Sequence, residues 1–378
     1  MEFKKIKLPF KIKRPVLALG SQTKNTICFA KDNTAHLSPA NQDLSNPKDF
    51  SNFNKAVKYF LKKRPKIIAY DLHPEYQSTK YAQSLPPNTY NLLSIQHHHA
   101  HIASCMIENG LQDQKVIGVA FDGTGLGLNN AFWGAEFFYP CSYKSFKRAV
   151  HLKEVPLLGG ERAILEPWRL TAAWLYSIYK DKFLNLDISW LKKINRNNWR
   201  ILKNMYLSGF NSPLVSSMGR LFDAVASLVL EKNKADFEAE LAINLERTAT
   251  GYRLKARGYK FKIIKRKDKY IIDPAPIFKE IISDLKKDES KEKVAYRFHL
   301  AIAEIVKRMS LIFREESGIN KVVLSGGVFQ NKLLLSLSLD LLNKEGFRVF
   351  RHKALSCNDS GISLGQAIIA NFSLPVMR

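Results

Sequence analysis

The chain has 378 residues, 46% of them hydrophobic, which excludes a disordered protein and allows two lobes with substantial cores. Its 59 basic and 34 acidic residues leave a net charge of +25, a balance that suits polyanions or acidic partner surfaces, or that simply reflects a lysine-rich proteome. Cys28, Cys105, Cys141 and Cys357 form no C-x-x-C pair, so there is no zinc-ribbon or disulfide-framework signal; no run approaches the ~18 apolar residues of a membrane span, and the basic start lacks a signal-peptide core, so a cytoplasmic protein with no membrane partner is expected.

In chain order, "PVLALGSQTKNTICFA" (15–30) predicts two short strands joined by a Gly-led polar turn, the first beginning at about Pro15. "FNKAVKYFLKKRP" predicts an amphipathic helix ended by Pro65. "KIIAYDL" (66–72) and "LLSIQ" predict buried strands, and the second leads into "SIQHHHAHIASCMIENG" (94–110). In that segment Ser94 is the expected N-cap and Gly110 the expected C′ residue of a helix. His97 and His101 then lie at i and i+4, on one face, where two imidazoles can share an ion at roughly 2.0–2.1 Å. The spacing by itself fits a metal pair or a surface cluster, and a third ligand is needed. His98 and His99 point elsewhere.

"KVIGVAFDGTGLG" (115–127) repeats the opening theme of an apolar strand meeting a Gly-rich turn, and "AFWGAEFFY" returns as a strand; the repeat suggests a duplicated, two-lobed architecture. Asp122 could hold a phosphate-bound cation such as magnesium, Thr124 could donate a hydroxyl, and the glycines could crowd backbone N–H groups around an anion; an ordinary hairpin turn is the alternative. Residues 156–250 read as mainly helical, with "EPWRLTAAWLYSIY", where Glu166 and Arg169 make an i,i+3 pair, and "SMGRLFDAVASLVLEK", where Arg220 and Asp223 follow Gly219. "GYRLKARGYKFKIIKR" and "KYIIDP" read as strands, and 294–318 as a long helix. "LSGGVFQN" (324–331) reads as strand, Gly326-Gly327 turn and helix start, a shape shared by nucleotide-facing turns and plain connections; Asn331 could reach a base or ribose. Asp359, in "CNDSGISLGQ", sits just before a terminal helix, as an N-cap or as the carboxylate that completes the histidine site.

Taken together, "DLHPEYQSTKYA", "QHHHAHIAS", "VIGVAFDGTGLG", "EPWR", "SSMGRLFDAVA", "VVLSGGVFQN" and "NDSGISLGQA" resemble the C-terminal carbamoyltransferase module of the HypF family, which starts cyanide-ligand synthesis for NiFe hydrogenase. The resemblance spans roughly residues 15–370. It implies an α/β, two-lobed ASKHA fold (actin-like, ribonuclease-H-like) with helical insertions, shared with antibiotic O-carbamoyltransferases and tRNA threonylcarbamoyladenosine synthases. The expected lobes are 15–114 plus a C-terminal helix 354–378, and 115–353 with a helical insertion at 156–250. The resemblance implies His97, His101 and Asp359 as ligands of one divalent metal, iron or zinc. It places Gly123, Thr124, Gly125, Gly219, Asp223, Gly326, Gly327 and Asn331 on turns facing ATP or carbamoyladenylate, beside Asp122. It leaves His98 or His99 to act on the acceptor as acid or base.

The implied reaction moves a carbamoyl group from carbamoyladenylate to the C-terminal cysteine of a HypE-like partner, with the adenylate made by a separate domain. Family members usually carry acylphosphatase, zinc-finger and adenylate-forming domains ahead of this module; a standalone module is expected here. Three departures from the family pattern fall outside the metal and phosphate groups. "NNAFWGAE" stands where relatives commonly read "DGTIWGGE", "FEAELAINLE" where they read "YEGQAAIELE", and "GSQTKN" replaces a Gly-Gly turn. Other readings are a small-molecule O-carbamoyltransferase, a tRNA-modifying or nucleic-acid-binding relative favoured by the charge, and a non-catalytic paralogue.

Overall fold

The computed structural model describes residues 2–86, 88–252 and 256–373. The chain opens with β1 (Lys4–Ala18), β2 (Thr23–Asn25), β3 (Cys28–Leu37), β4 (Asn41–Asp43), α1 (Pro47–Leu61), β5 (Ile67–Asp71), α2 (Gln77–Ser84), β6 (Asn91–Ile95) and α3 (His97–Glu108). It continues through β7 (Val116–Leu126), β8 (Phe132–Cys141), β9 (Phe146–Leu152), β10 (Val155–Pro156), α4 (Arg162–Leu165), α5 (Trp168–Tyr179), α6 (Arg196–Ser208), β11 (Leu214–Ser217), α7 (Met218–Leu230) and α8 (Glu240–Thr250). The last part comprises β12 (Lys262–Arg266), β13 (Lys269–Asp273), α9 (Ala275–Leu285), α10 (Lys291–Ser317), β14 (Lys321–Ser325), α11 (Lys332–Lys344), β15 (Arg348–Phe350) and α12 (Ile362–Ser373).

Two sheets organise these elements. The first has the order β3-β1-β5-β6, antiparallel between β3 and β1 and parallel thereafter. The second runs β12-β13-β9-β8-β7-β14-β15, with β11 added alongside β8. Parallel pairing of β14 with β7 and β15 puts the ends of β7 and β14 side by side, the usual place for a ligand in an open α/β sheet.

Between the sheets lie α3 and α12. Helix α12 packs on β1, β3 and β5, while α3 packs on β7 and β14, and the two helices touch along their length. Both are buried on every side, from His97 to Ile107 and from Ile362 to Asn371. Two glycines allow the close approach. A Cβ on Gly365 would overlap the carbonyl of Ala100, and one on Gly361 would press on the Ser104 hydroxyl. The four histidines therefore sit in the interior, on the helix whose Ile102, Ala103 and Met106 share a core cluster with Leu364 of α12.

Several expectations need correction. β1 begins at Lys4, not near Pro15, because Leu8 and Ile12 of the basic segment are buried in the β1–β3 hairpin. The "FDGTGLG" stretch is not a turn. All but its last glycine lies within β7, whose pairing with β8 is interrupted between Phe121 and Gly125, so that Asp122, Gly123 and Thr124 form a bulge-like irregularity. Ser94 belongs to β6, and Gln96 caps α3 instead, its side chain accepting from the His99 N–H; Gly110 does follow the helix, at φ +67°. Within "GYRLKARGYKFKIIKR" only Lys262–Arg266 is strand, and residues 253–255 lie outside the described residues. The terminal helix spans Ile362–Ser373; residues 374–378 of the expected 354–378 segment lie outside the described residues.

Candidate functional site

The site is built where the end of β5, the start of α3, the irregular part of β7 and the turn before α12 meet. The helical repeat puts His97 above His101, with ring centroids 5.0 Å apart. Asp71, at the end of β5, lies with Oδ2 2.7 Å from His97 Nδ1, while its Oδ1 accepts from the His73 N–H. The Nδ1–H of His97 is thereby spent on Asp71, and the Nε2 lone pair is left facing the cluster. Asp122 Oδ2 stands 3.4 Å from His97 Nε2 and 3.6 Å from His101 Nε2, and Asp359 Oδ1 stands 3.7 Å from each. The Gly327 N–H holds the other oxygen of Asp122 at 3.0 Å.

Two imidazole nitrogens and two carboxylate oxygens thus converge, all within 4.8 Å of one another. The Nε2 atoms of both histidines are buried and have no hydrogen-bond partner among the described residues. The four nitrogen-to-oxygen separations, 3.4–3.7 Å, are of the size found between ligands that share one small ion at roughly 2.0–2.2 Å. The electrostatics agree. Burial alone would lower the His97 pKa, but the negative charges of Asp71 and Asp359, with the Asp122 carboxylate close by, hold it well above the ordinary value. Burial would raise Asp122, yet the two histidines pull it well below the usual carboxylate range. The pocket favours added positive charge, which a divalent cation would supply.

The other histidines separate into two kinds. His99 is a correction: its Nε2 donates to the Ser142 carbonyl at 2.7 Å, its ring packs on Phe146, and burial pushes its pKa down to about 4. It faces away from the cluster and has no acid or base work to do there. His98 lies beside His97, against Gly125, where a Cβ would strike its ring. Burial, first of all, holds its pKa well below the ordinary value.

The glycine turns gather on the β7 irregularity. Gly219, at the start of α7, lies so close to Gly123 that a Cβ would reach its Cα, and the Ser217 hydroxyl that caps α7 also bonds the Asp122 and Gly123 carbonyls. Gly326 has φ +103°, and a Cβ there would overlap the Phe121 backbone. Its missing side chain is thus demanded by the neighbouring strand, not by a ligand. Gly327 meets Asp122, and Thr124 is half-buried at the rim. Two expected nucleotide contacts are committed inside the fold. Asn331 caps α11 and gives its amide to His299 at 2.9 Å. Asp223 is buried against Arg220 at 2.8 Å, with burial pushing its carboxyl up to about 6. Asp359 is free for the cluster because Asn358, not Asp359, caps the turn that leads into α12.

The sequence reading missed Asp71 as the partner of His97, the place of Asp122 among the potential ligands, and Gln96. An aspartate ending an apolar strand just ahead of a histidine segment is the signal that would have pointed to Asp71.

Two family models cover nearly the whole chain: the HypF Kae1-like domain at residues 11–108, and the second subdomain of the carbamoyltransferase Kae1-like domain at residues 118–366. The chain belongs to the HypF family. The carbamoyltransferase HypF of Synechocystis is 34% identical over 96% of this chain and 48% of its own length. A HypF homolog from Cupriavidus necator is 32% identical over 94% of this chain and 91% of its own length. The chain thus spans about half the length of full-size HypF relatives and nearly all of a shorter one. Full-length HypF crystallised in a phosphate- and nucleotide-bound form superimposes with a TM-score of 0.90 at 38% identity, covering 97% of this chain and 57% of that one. HypF from T. kodakarensis gives 0.86 at 28% identity, covering 97% of this chain and 49% of that one. The expected α/β fold of the HypF module is therefore present. Among the described residues no helix is long and apolar enough to cross a membrane.

Proposed function

We propose that these residues form the carbamoyl-transferring module of a HypF-type enzyme, moving a carbamoyl group from carbamoyladenylate to the C-terminal cysteine of a HypE-like acceptor. The observation that carries this reading is the convergence of His97, His101, Asp122 and Asp359, with two unpartnered imidazole nitrogens, beside the Gly123, Gly219 and Gly327 backbone. His97, His101, Asp122 and Asp359 would hold one iron or zinc ion. When bound, that ion supplies positive charge near oxygens that become more negative during acyl transfer. Asp71 holds the His97 ring in register. The start of α7, flush against Gly123, offers a helix N-terminus to a nucleotide phosphate. In the transfer, the acceptor thiol gives its proton to solvent, its sulfur bonds the carbamoyl carbon, the carbon–oxygen bond to the phosphate breaks, and AMP leaves with the bonding pair.

The adenylate is made by a separate domain, whether on this polypeptide or another. The test combines the metal-loaded chain, a HypE protein and an adenylate-forming domain fed with carbamoyl phosphate and ATP. Mass spectrometry of HypE should show one carbamoyl group on its terminal cysteine, with little or none when the adenylate-forming domain is omitted. Absence of modification with stoichiometric metal and freshly made adenylate overturns the reading.

A further inference from the structure

The amide of Gln96 has only one chemically consistent orientation. As N-cap of α3 it must turn its oxygen to the His99 N–H, at 2.9 Å, because an amide nitrogen cannot accept that bond. The amide nitrogen is then directed at His98 Nδ1, 3.1 Å away, and at the Leu126 carbonyl, 3.3 Å away. A donor facing Nδ1 requires a lone pair there, so the His98 proton belongs on Nε2. That Nε2 is buried and has no partner among the described residues. The ring lies beside His97, its centroid 5.4 Å away, and against Gly125 on the β7 irregularity.

A second cap in the same chain shows what the arrangement does when it is purely structural. Asn331 caps α11 through its oxygen and donates its nitrogen to His299 Nε2 at 2.9 Å. The other ring nitrogen of His299 donates to the Ala295 carbonyl at 2.8 Å, so both are used. In the Gln96–His98 pair the same device leaves one N–H over, beside the metal ligands.

We propose that Gln96 is a positioning residue that fixes His98 as the Nε2–H tautomer, so that His98 donates a hydrogen bond to an oxygen of the bound carbamoyl donor and does not take a proton. The donor role rests on the function proposed above; the tautomer does not. Nδ1 is blocked by the Gln96 amide and Nε2 already carries hydrogen, so neither nitrogen serves as a base.

Nitrogen chemical shifts of the labelled, zinc-loaded protein test this without turnover. Wild-type His98, assigned by its loss in His98→Ala, should show a protonated Nε2 and a bare Nδ1. The reverse pattern overturns the proposal. In Gln96→Glu the carboxylate still accepts from the His99 N–H but can only accept from His98, so the proton should move to Nδ1; an unchanged tautomer removes Gln96 from the role. A non-hydrolysable carbamoyladenylate analogue should shift the His98 Nε2–H resonance, and no shift on saturation refutes the donor role. In the transfer assay His98→Ala should lower kcat on the order of 100-fold with KM and metal content little changed. His98→Gln, whose amide nitrogen can occupy the Nε2 position, should recover at least about tenfold of that loss. Equal activity of the two variants argues for a base and sinks the proposal. A wild-type protein that transfers nothing would instead remove the proposed function, while the nitrogen shifts would still decide the tautomer.

Discussion

Asp71 never reaches the cluster, yet it decides which nitrogen His97 presents there. Carboxylate partners of ligating histidines typically contribute 10–100-fold to metal affinity, so Asp71→Asn should weaken metal binding by about that factor in a chelator competition. Unchanged affinity would deny it the role. His101→Ala should remove stoichiometric metal while circular dichroism stays native, and metal content equal to wild type in the purified variant would exclude His101 as a ligand. The histidine pair was readable because helical spacing is a local property. Asp359 reads as an N-cap or as the third ligand, and only the family resemblance chooses between the two, since nothing local links it to α3. Asp122 reads as part of a phosphate turn because it opens a glycine run. Its actual direction is set by the interrupted β7–β8 pairing, a tertiary property that no window of sequence displays. Ser94 reads as the cap for a similar reason: how far β6 extends depends on its pairing with β5.

Helix ends and strand ends account for most remaining differences. Ala239, the N-cap of α8 at φ +66°, occupies a left-handed position that glycine adopts without strain. Ala239→Gly should therefore raise stability by about 0.5–1 kcal/mol in urea denaturation, and a lower midpoint would contradict the strain argument. Asn130, at φ +59°, fills another such position with a residue that tolerates it better. Gly326 shows the opposite hazard: a valine there would collide with β7, so lost nucleotide binding in that variant would report damaged folding. At the far end of α3, Glu108 accepts from the backbone N–H groups of Lys353, Ala354 and Leu355 and pairs with His352 at 2.7 Å. Burial pushes its carboxyl up, but these bonds outweigh burial and hold it at about 2 instead of 4.5. A depressed carboxylate stabilises the fold above its unfolded pKa and loses that contribution as pH falls. Between about pH 4.5 and 2, wild type should lose stability more steeply than Glu108→Gln. Parallel melting curves for the two proteins would refute this.

Across the whole molecule, the order of strands and helices was largely legible, because apolar runs and glycine turns alternate visibly. The basic start was not. Ile6, Leu8, Phe10 and Ile12 alternate strictly with lysines and Pro9, a strand pattern that charge and an internal proline disguise as a tail. Nor does the sequence reveal that α3 and α12, far apart in the chain, cross at Gly365 with backbone almost touching backbone. Gly365→Ala should force them apart, lowering stability by about 1–3 kcal/mol and weakening metal retention together. A variant that keeps wild-type stability would show that the crossing yields without strain. The same crossing has a bearing on how the protein is made. Asp71, the histidines and Asp122 leave the ribosome before Asp359 and the helix that seats α3. A nascent chain therefore offers an incomplete ligand set until Asp359 and α12 have emerged.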